Sequence, residues 1–300
     1  MSSLYAPMFA IIGIVVVFGA IIGGYLLEHG NLTVLLQPAE LLIIFGAAVG
    51  TIFIANPLPV LIKMFKGIAG AFGSSCFTKA FYVENIKMLN ELFQLARKQG
   101  LMKLESDIEE PQKSGIFSKY PKFLKDHHAL CFLCDTLRMS ISGGIGAFDL
   151  DQMMEADMDV HNHEANAPVD ALSKMADSLP GLGIVAAVLG VVITMGALGG
   201  PPEEIGHKVA AALVGTFLGI LLCYGLFGPL ASSMAKANEA EHEYFQFLRV
   251  AIISSIKGFA PLMAIEFARR VIPAQLRPTF QEMEQACKGA PGAAAAKEGG

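Results

Sequence analysis

The sequence contains few charged side chains: Asp, Glu, Lys and Arg make up 16% of its 300 residues, whereas hydrophobic residues make up 53%. A soluble domain keeps about a quarter of its residues charged, so this composition argues against a soluble protein. Lys, Arg and His are missing from all the long apolar stretches, each of which is long enough to cross a bilayer as a helix. The stretches are Leu4–Leu27, Leu36–Ile62, Leu179–Leu198 and Val209–Met234.

Basic residues are also missing from the start of the chain. No Lys or Arg precedes Lys63, and all but one of the 22 Lys and Arg residues lie within 63–174 or 236–297, the exception being Lys208. Because Lys and Arg that flank spans stay on the cytoplasmic side, we expect both segments and both termini in the cytoplasm. The first stretch has no basic n-region and is too long for a signal peptide, so we expect a retained helix.

These features predict an all-α integral membrane protein with four transmembrane helices, a large helical cytoplasmic domain between the second and third, and a cytoplasmic C-terminal tail. Pro57 and Pro59 should end or kink the second helix. Apolar periodicity predicts further helices at Tyr82–Lys98, Asp126–Ser140, Leu150–Ser173 and Ala264–Arg270, and a continuation of the fourth span through Glu239–Arg249. The expected organisation is a transmembrane hairpin over 1–62, a cytoplasmic helical domain over 63–176, a second transmembrane hairpin over 177–235, cytoplasmic helices over 236–288 and a disordered tail over 289–300.

Ionisable groups are missing from the middle of every span. Such groups mark ion pathways in membrane proteins, because they are costly there and are retained for a purpose. The spans hold one carboxylate, Glu40, near the start of the second. Either the chain moves no ions or a partner supplies the titrating group. Asp177, at the cytoplasmic start of the third span, could be an exit-side group, although an interfacial helix charge is the simpler interpretation.

Signatures of enzymes and metal sites are absent from the sequence. We find no phosphate loop, nucleophile elbow or paired catalytic acids, and expect no catalytic residues, no cofactor, no metal and no nucleic-acid partner. Cys131 and Cys134 form a CxxC without a second pair, so core packing is expected instead of a zinc site. His161 and His163 diverge by about 200° on a helix, so they cannot chelate one ion together.

Small residues are dense on the third and fourth stretches, where they favour close packing of helices in lipid. The small-xxx-small pairs are Gly183/Ala187, Ala186/Gly190 and Gly215/Gly219. Ordinary packing within the chain explains these pairs as well as a specialised interface does. Pro180 and Pro229 could act as hinges or simply end helices. Thr216 could bond its own backbone or offer an oxygen to a hydrated ion.

Several strings in combination resemble the MotA family of flagellar stators over nearly the whole chain. They are Gln37–Glu40, Arg97–Glu109, Asp177–Ala187, Val214–Leu222, Ile265–Arg270 and Arg277–Phe280. The resemblance implies a homopentameric ring around a dimer of a MotB-like partner, whose single span bears the titrating Asp. Such a complex lies in the bacterial inner membrane and couples inward proton flow to torque on the rotor.

The resemblance also implies roles for individual residues. Pro180 and Pro229 match the family's two functional prolines, which link ion passage to movement in the cytoplasm. Arg97 and Glu105, which alone would be read as solvent-exposed charges, match the charged pair that meets the rotor protein FliG. The small residues would lie on the inner wall of the ring.

The resemblance further places Ala187, Thr216 and Tyr224 in the ion pathway. Sodium-driven relatives carry Thr at the position of Ala187, and a methyl group cannot ligate sodium, so the proton is the favoured ion. Thr216 nevertheless keeps one oxygen in place. An alternative is an ExbB/TolQ-like ring that energises envelope processes, and a further one is a stand-alone channel or transporter.

Overall fold

The structure, a computed structural model, describes residues 5–73, 76–196, 199 and 201–289. The regular elements in these residues are all helices, as the sequence predicts. The α-helices are α1 (Tyr5–Leu27), α2 (Leu32–Leu35), α3 (Pro38–Ala55), α4 (Leu58–Gly70), α5 (Lys79–Gln99), α6 (Glu105–Glu109), α7 (Pro121–Lys125), α8 (His127–Ser142), α9 (Ala147–Met195), α10 (Pro202–Leu222), α11 (Gly228–Ile256), α12 (Pro261–Val271) and α13 (Phe280–Lys288). Leu4, Leu198 and the predicted tail beyond Gly289 lie outside the described residues.

Four helical segments are long and apolar enough to cross a membrane, which confirms the predicted number of apolar helices. They are Phe9–Leu27, Leu32–Ala55, Ala147–Met195 and Pro202–Ile256. Large apolar side chains remain exposed along them, for example Phe9 at 64% and Val192 at 62%. Exposed apolar surface of this extent needs lipid or another protein to cover it.

The second predicted stretch, Leu36–Ile62, is divided between two helices. α3 ends at Ala55, and Asn56 is extended with φ −132° and ψ 143°. The residue before a proline is driven out of the helical region, so Pro57 forces this conformation on Asn56. Pro57 therefore ends the helix, which is one of the two effects expected of it, and Pro59 lies in the first turn of α4.

The predicted cytoplasmic helix Leu150–Ser173 and the third span form one continuous helix. α9 contains 49 residues, with Pro168 and Pro180 both inside it, and is about 70 Å long at the usual rise per residue. The alternative that Pro180 ends a helix is therefore wrong. A proline removes one backbone hydrogen bond, and the packed face of a helix can hold the turns on either side of that gap.

The fourth stretch also continues beyond its predicted end. A π-helical segment, Cys223–Phe227, joins α10 to α11, and the N–H of Gly228 bonds the carbonyl of Cys223, five residues back. α11 then runs to Ile256, so the predicted continuation through Glu239–Arg249 is confirmed. Pro229 lies in the first turn of α11 and does not end a helix.

Contacts divide the chain into two compact units: Met1–Ser75 with His163–Asn238, and Cys76–Asn162 with Glu239–Gly300. The domain limits expected at 62/63, 176/177 and 235/236 each fall inside a helix, namely α4, α9 and α11. The expected limits and the ends of the helices differ for a simple reason. Composition changes where a chain leaves lipid, whereas a helix ends only where proline, glycine or a cap ends it.

The first unit contains the apolar helices, and α3 buries a single narrow stripe of its surface in it. The stripe is Glu40, Ile44, Ala48 and Ile52. A spacing of four residues puts these side chains on one face of the helix. Its apolar members join a core cluster that includes Leu179 and Ala186 of α9 and Leu222 of α10. α3 thus faces the helix pair α9–α10 through this stripe.

The second unit has a core rich in aromatic side chains. Tyr82 of α5 and Phe247 of α11 are among its largest buried residues, and their rings meet edge to face 5.5 Å apart. Tyr244 is fully buried and donates a hydrogen bond from its hydroxyl to Oδ1 of Asn85, at 2.8 Å. The predicted helices Tyr82–Lys98, Asp126–Ser140 and Ala264–Arg270 correspond to α5, α8 and α12.

Helix α13 lies within the cytoplasmic helices expected over 236–288, although no individual helix was predicted at Phe280–Lys288. It begins with a capping box, in which Thr279 Oγ1 accepts from the N–H of Glu282 and the Glu282 carboxylate accepts from the N–H of Thr279. Lys79 of α5 donates to Glu282 Oε1 at 2.8 Å and so ties α13 to α5. The hydrogen bond from Lys79, followed by those from Thr279, lowers the pKa of Glu282 to about 2.

The string Ile265–Arg270 has a structural role within α12. Glu266 is almost fully buried and accepts hydrogen bonds from Arg269, at 2.7 and 2.8 Å, and from Arg270, at 2.9 Å. Arg269 also donates to the carbonyl of Pro278 at 2.9 Å. The Arg269 guanidinium, followed by that of Arg270, lowers the pKa of Glu266. This string therefore fixes the chain that leads into α13.

Candidate functional site

α9 and α10 pack against each other through backbone contacts at small residues. A Cβ added to Gly183 would lie 2.7 Å from the carbonyl oxygen of Gly215, and one added to Gly219 would lie 2.5 Å from the carbonyl oxygen of Leu179. The facing positions rise along α9 as they fall along α10, so the two helices run antiparallel. Only glycine fits at these contacts, as in other helices that approach closely in lipid.

The same interface extends further along both helices. A Cβ added to Gly190 would lie 2.7 Å from the Cβ of Ala212, and one added to Gly215 would lie 3.2 Å from the Cβ of Ala186. Ala186 is fully buried, whereas Ala187 beside it is half-buried. The structure brings the predicted small residues together at one interface within the chain: Gly183, Ala186, Gly190, Gly215 and Gly219.

Pro180 lies on α9 immediately before this interface. It has no N–H, so the carbonyl of Ala176 loses its normal helical donor. Near this gap, Ser178 Oγ donates to the carbonyl of Met175 at 2.7 Å. A missing bond in the backbone ladder permits bending, so α9 has a point of flexure beside its contact with α10.

Pro229 and Tyr224 lie at the matching irregularity of the other helix. Tyr224 belongs to the π-helical segment Cys223–Phe227 and is 72% exposed. Pro229 follows this segment by two positions and is also exposed. A π-helical turn is rare and is frequent at functional sites. Both helices that carry a predicted functional proline therefore have an interrupted backbone ladder next to it.

Thr216 lies on the α9-facing side of α10, because its Cα is 3.3 Å from a Cβ added to Gly183. Within the described part of the chain its hydroxyl makes no hydrogen bond. Thr194 of α9, by contrast, donates to the carbonyl of Gly190 at 2.8 Å. The local backbone bond that was one interpretation of Thr216 is thus not formed in these residues, and its oxygen is left for another partner.

Glu40 is the residue of this site that sequence reasoning missed. Its side chain is 7% exposed and ends against α10. Oε2 would lie 2.8 Å from a Cβ added to Gly215, and Oε1 would lie 3.6 Å from one added to Gly190. Oε2 is enclosed and finds no hydrogen-bond partner among the described residues. A carboxyl group therefore lies directly at the interface of α9 and α10, although its position in the sequence suggested only the start of a span.

The sequence did carry a signal for this placement. Glu40 continues the four-residue spacing of Ile44, Ala48 and Ile52, which is the buried stripe of α3. An acidic residue in register with a buried stripe faces the same neighbours as the stripe does. The position of Glu40 along the stretch gives only its depth in the span. It does not show which face of the helix carries the carboxyl group.

Two families of known proteins match the chain. Residues 11–100 match the Motility protein A N-terminal family, and residues 128–247 match the MotA/TolQ/ExbB proton channel family. Motility protein A of Escherichia coli K12 is 40% identical over 278 residues, which cover 93% of this chain and 94% of that protein. The chain belongs to the MotA family. Chemotaxis protein LafT of Vibrio parahaemolyticus is 36% identical over 274 residues, covering 91% of this chain and 96% of that protein.

The fold of this MotA-family chain also agrees with a solved structure. The flagellar MotAB stator complex from Bacillus subtilis matches with a TM-score of 0.70 and 26% identity, over 88% of this chain and 96% of that chain. The resemblance to the MotA family that the sequence strings indicated is therefore confirmed.

The charged pair of the MotA resemblance lies on the surface of the second unit. Arg97 is in the last turn of α5 and Glu105 begins α6, and both are exposed. Gly100 separates them with a φ of 85°, which glycine adopts without strain. Arg97 also lines a shallow cleft of about 280 Å³ together with Asn90 and Lys288. Neither charge of the pair forms an ion pair within the described residues, so both are available to a partner.

The cysteines singled out in the sequence and His161 belong to the second unit, whereas His163 begins the second segment of the first unit. Cys134 is buried, and burial raises its pKa to about 12. The Cys131 sulfur lies 3.6 Å from Nδ1 of His127. His161 Nε2 is 3.3 Å from Glu241 Oε1, whereas His163 is exposed. In the described part of the chain, no three His, Cys, Asp or Glu residues come together in a group that could hold a metal ion.

Proposed function

We propose that this chain is the ring-forming subunit of a flagellar stator, which couples inward proton flow to torque together with a MotB-like partner. The observation that carries the proposal is the α9–α10 hairpin. Its two helices touch through glycine and alanine, Ala187 and Thr216 lie beside this contact, and each helix has an interrupted ladder at Pro180 or near Pro229. Such a wall is suited to moving against another helix that carries the titrating group.

The apolar surface that the chain leaves uncovered also supports a partner, because lipid or another protein must cover it. α9 exposes Val188 at 55%, Val192 at 62% and Met195 at 59%. The family match and the likeness to a MotAB stator complex support a MotB-like dimer as that partner. A homopentameric ring surrounds the dimer in this proposal, and the remaining apolar faces meet neighbouring subunits or the bilayer.

The proton is the proposed coupling ion. Sodium needs a set of oxygen ligands, and the α9 side of the site offers the methyl group of Ala187. The hydroxyl of Thr216 alone does not make such a set. If swimming stops when external sodium is removed at constant proton-motive force, the assignment of the proton is refuted.

In this proposal the protein lies in the bacterial inner membrane with both termini in the cytoplasm, and the second unit meets the rotor protein FliG. The distribution of Lys and Arg supports that orientation. The positions of Arg97 and Glu105 support the rotor contact, since both are exposed on either side of Gly100 and are free to bind a complementary surface.

Deletion of the gene in its motile host tests the function as a whole. We expect paralysed cells with normal filaments, because a stator generates torque and does not build the filament, and we expect the wild-type gene to restore swimming. Cells that swim normally without the gene, in a host with no second stator, would refute the flagellar role. A partner captured with the protein would then show whether an ExbB/TolQ-like role replaces it.

Charge reversal tests the rotor contact. Arg97→Glu and Glu105→Lys should each reduce swimming strongly, because each places a like charge opposite its partner group. Complex assembly, measured by pull-down through the MotB-like partner, should stay unchanged. Lys125→Glu makes the same charge change as Arg97→Glu at an exposed position at the end of α7 and serves as the control. A swimming loss equal to that of the control would contradict the role of Arg97.

A further inference from the structure

Among the described residues, one buried carboxyl group has an oxygen without a hydrogen-bond partner, and it lies among the apolar helices of the first unit. Glu40 is 7% exposed, and its Oε2 is enclosed without a hydrogen bond from any described residue. Burying an unpaired charge in apolar surroundings costs several kcal/mol, and ionisable groups within spans are rare for that reason. A group retained at such a place is a candidate for function.

Helix capping does not explain Glu40. It is the third residue of α3, the position from which a glutamate can accept a hydrogen bond from the N-cap backbone. Glu282 does so at the same position of α13, where its carboxylate accepts from the N–H of Thr279 at 2.6 Å. In α3 no such bond to the N-cap residue Gln37 is formed. The side chain of Glu40 is turned instead toward Gly190 and Gly215.

A polar cleft lies at the N-terminal end of α3, where Gln37 precedes Glu40. It has a volume of about 380 Å³ and is lined by residues that include Asn31, Gln37, Glu204, His207 and Lys208. Lys208 donates to Glu204 at 2.8 Å, so its charge is already paired. Gln37 precedes Glu40 by three residues, which is about 4.5 Å along the helix axis. The cleft therefore brings polar surface, and room for water, to within one helical turn of Glu40.

We propose that Glu40 is a proton-binding site of the ring subunit, filled from the polar cleft and emptied toward the coupling residues Ala187 and Thr216. Gly215 places Glu40 close to both coupling residues. It directly precedes Thr216, and a Cβ added to Gly215 would lie 3.4 Å from the backbone nitrogen of Ala187. The inference rests on the proposed function, because only a proton-conducting complex supplies the flow.

The transfer balances as a pair of proton exchanges. In the first, a hydronium ion in the cleft gives its proton to the Glu40 carboxylate, so an O–H bond breaks in hydronium, one forms on the carboxyl group and a water molecule remains. In the second, that O–H bond breaks and the proton passes to water or to the carboxylate of the MotB-like partner. The carboxyl group is neutral between the two exchanges, which is the form that its surroundings favour.

Substitution of Glu40 in the complete complex tests the transport role. Glu40→Gln keeps the size and polarity of the side chain but cannot exchange a proton, so we expect proton flux and torque to fall by at least about tenfold. Glu40→Asp keeps the carboxyl group and should retain part of the flux. Glu203→Gln removes an exposed carboxyl group at the start of α10 and should behave as wild type.

The outcomes separate the inference from the proposed function. Flux in Glu40→Gln equal to wild type overturns the inference alone. Absence of flux in the wild-type complex refutes the proposed function, and the transport role of Glu40 with it. Assembly is measured by pull-down through the partner for every variant, so that a loss of flux is assigned only to complexes that have formed.

A chemical probe of the wild-type complex keeps the inference testable if Glu40→Gln does not assemble. Hydrophobic carbodiimides add to protonated carboxyl groups in apolar surroundings and leave an acylurea that mass spectrometry locates. We expect an adduct on Glu40 whose yield falls as the pH is raised, because the group then loses its proton. An unmodified Glu40 at every pH, in complexes that are labelled at other carboxyl groups, would overturn proton binding there.

Discussion

Alanine in place of Gly183 would put a methyl group where the structure has backbone atoms of α10. The new Cβ would lie 2.7 Å from the carbonyl oxygen of Gly215 and 3.3 Å from the Cα atoms of Thr216 and Gly219. None of these atoms can rotate away, so α9 and α10 must move apart. Overpacking of this kind costs about 1–3 kcal/mol. Alanine returns about 0.5–1 kcal/mol through its better helix propensity. The net loss is then up to about 2.5 kcal/mol.

Gly181→Ala is the matched control for this change. Gly181 lies on the same helix two residues earlier, and a Cβ added there would meet no atom within 4 Å. We expect Gly181→Ala to unfold at the wild-type temperature or slightly above it. Gly183→Ala should lower the Tm of the solubilised complex by about 2–5 °C. Equal Tm values for the two variants would refute the close approach of α9 and α10.

The remaining predictions concern the second unit. Folding lowers the pKa of Glu282 to about 2 from its ordinary value of 4.5, so its stabilising effect is present above about pH 4.5 and is lost as the pH falls toward 2. Glu282→Gln should therefore speed amide hydrogen exchange in α13 at neutral pH but match wild type at the acid end, and an equal difference at both ends would contradict the bond to Lys79. N-ethylmaleimide should label exposed Cys76 in the native protein but not Cys134, which is buried with a pKa of about 12. Mass spectrometry of the labelled peptides checks this, and similar labelling of the two thiols would show that Cys134 is not in the core.

The spans could be predicted because lipid imposes a strong and local condition on the sequence. A helix that crosses a bilayer needs about 20 apolar residues wherever it stands in the fold. The four apolar helices of the structure appear in the sequence for that reason. The strings around Arg97 and Pro180 likewise indicated the MotA family, because each string is short, contiguous and specific in combination.

Helix continuity could not be read with the same certainty, because proline has two possible effects. Pro57 ends α3, whereas Pro168 and Pro180 lie within α9. From the local sequence around a proline we can infer only that one backbone hydrogen bond is lost. Packing on the rest of the helix decides whether the turns on either side stay aligned. The π-helical segment Cys223–Phe227 likewise could not be predicted, because packing around the helix decides whether it accommodates an extra residue.

By itself the sequence determined the membrane class, the apolar helices, the family and the exposed charges Arg97 and Glu105. Only the tertiary structure showed that Glu40 meets Gly190 and Gly215, and that the hydroxyl of Thr216 makes no hydrogen bond to the described residues. The physical reason is that composition and periodicity are properties of one segment. A contact between α3, α9 and α10 depends on which faces of three helices meet, and that is decided by packing between residues far apart in the chain.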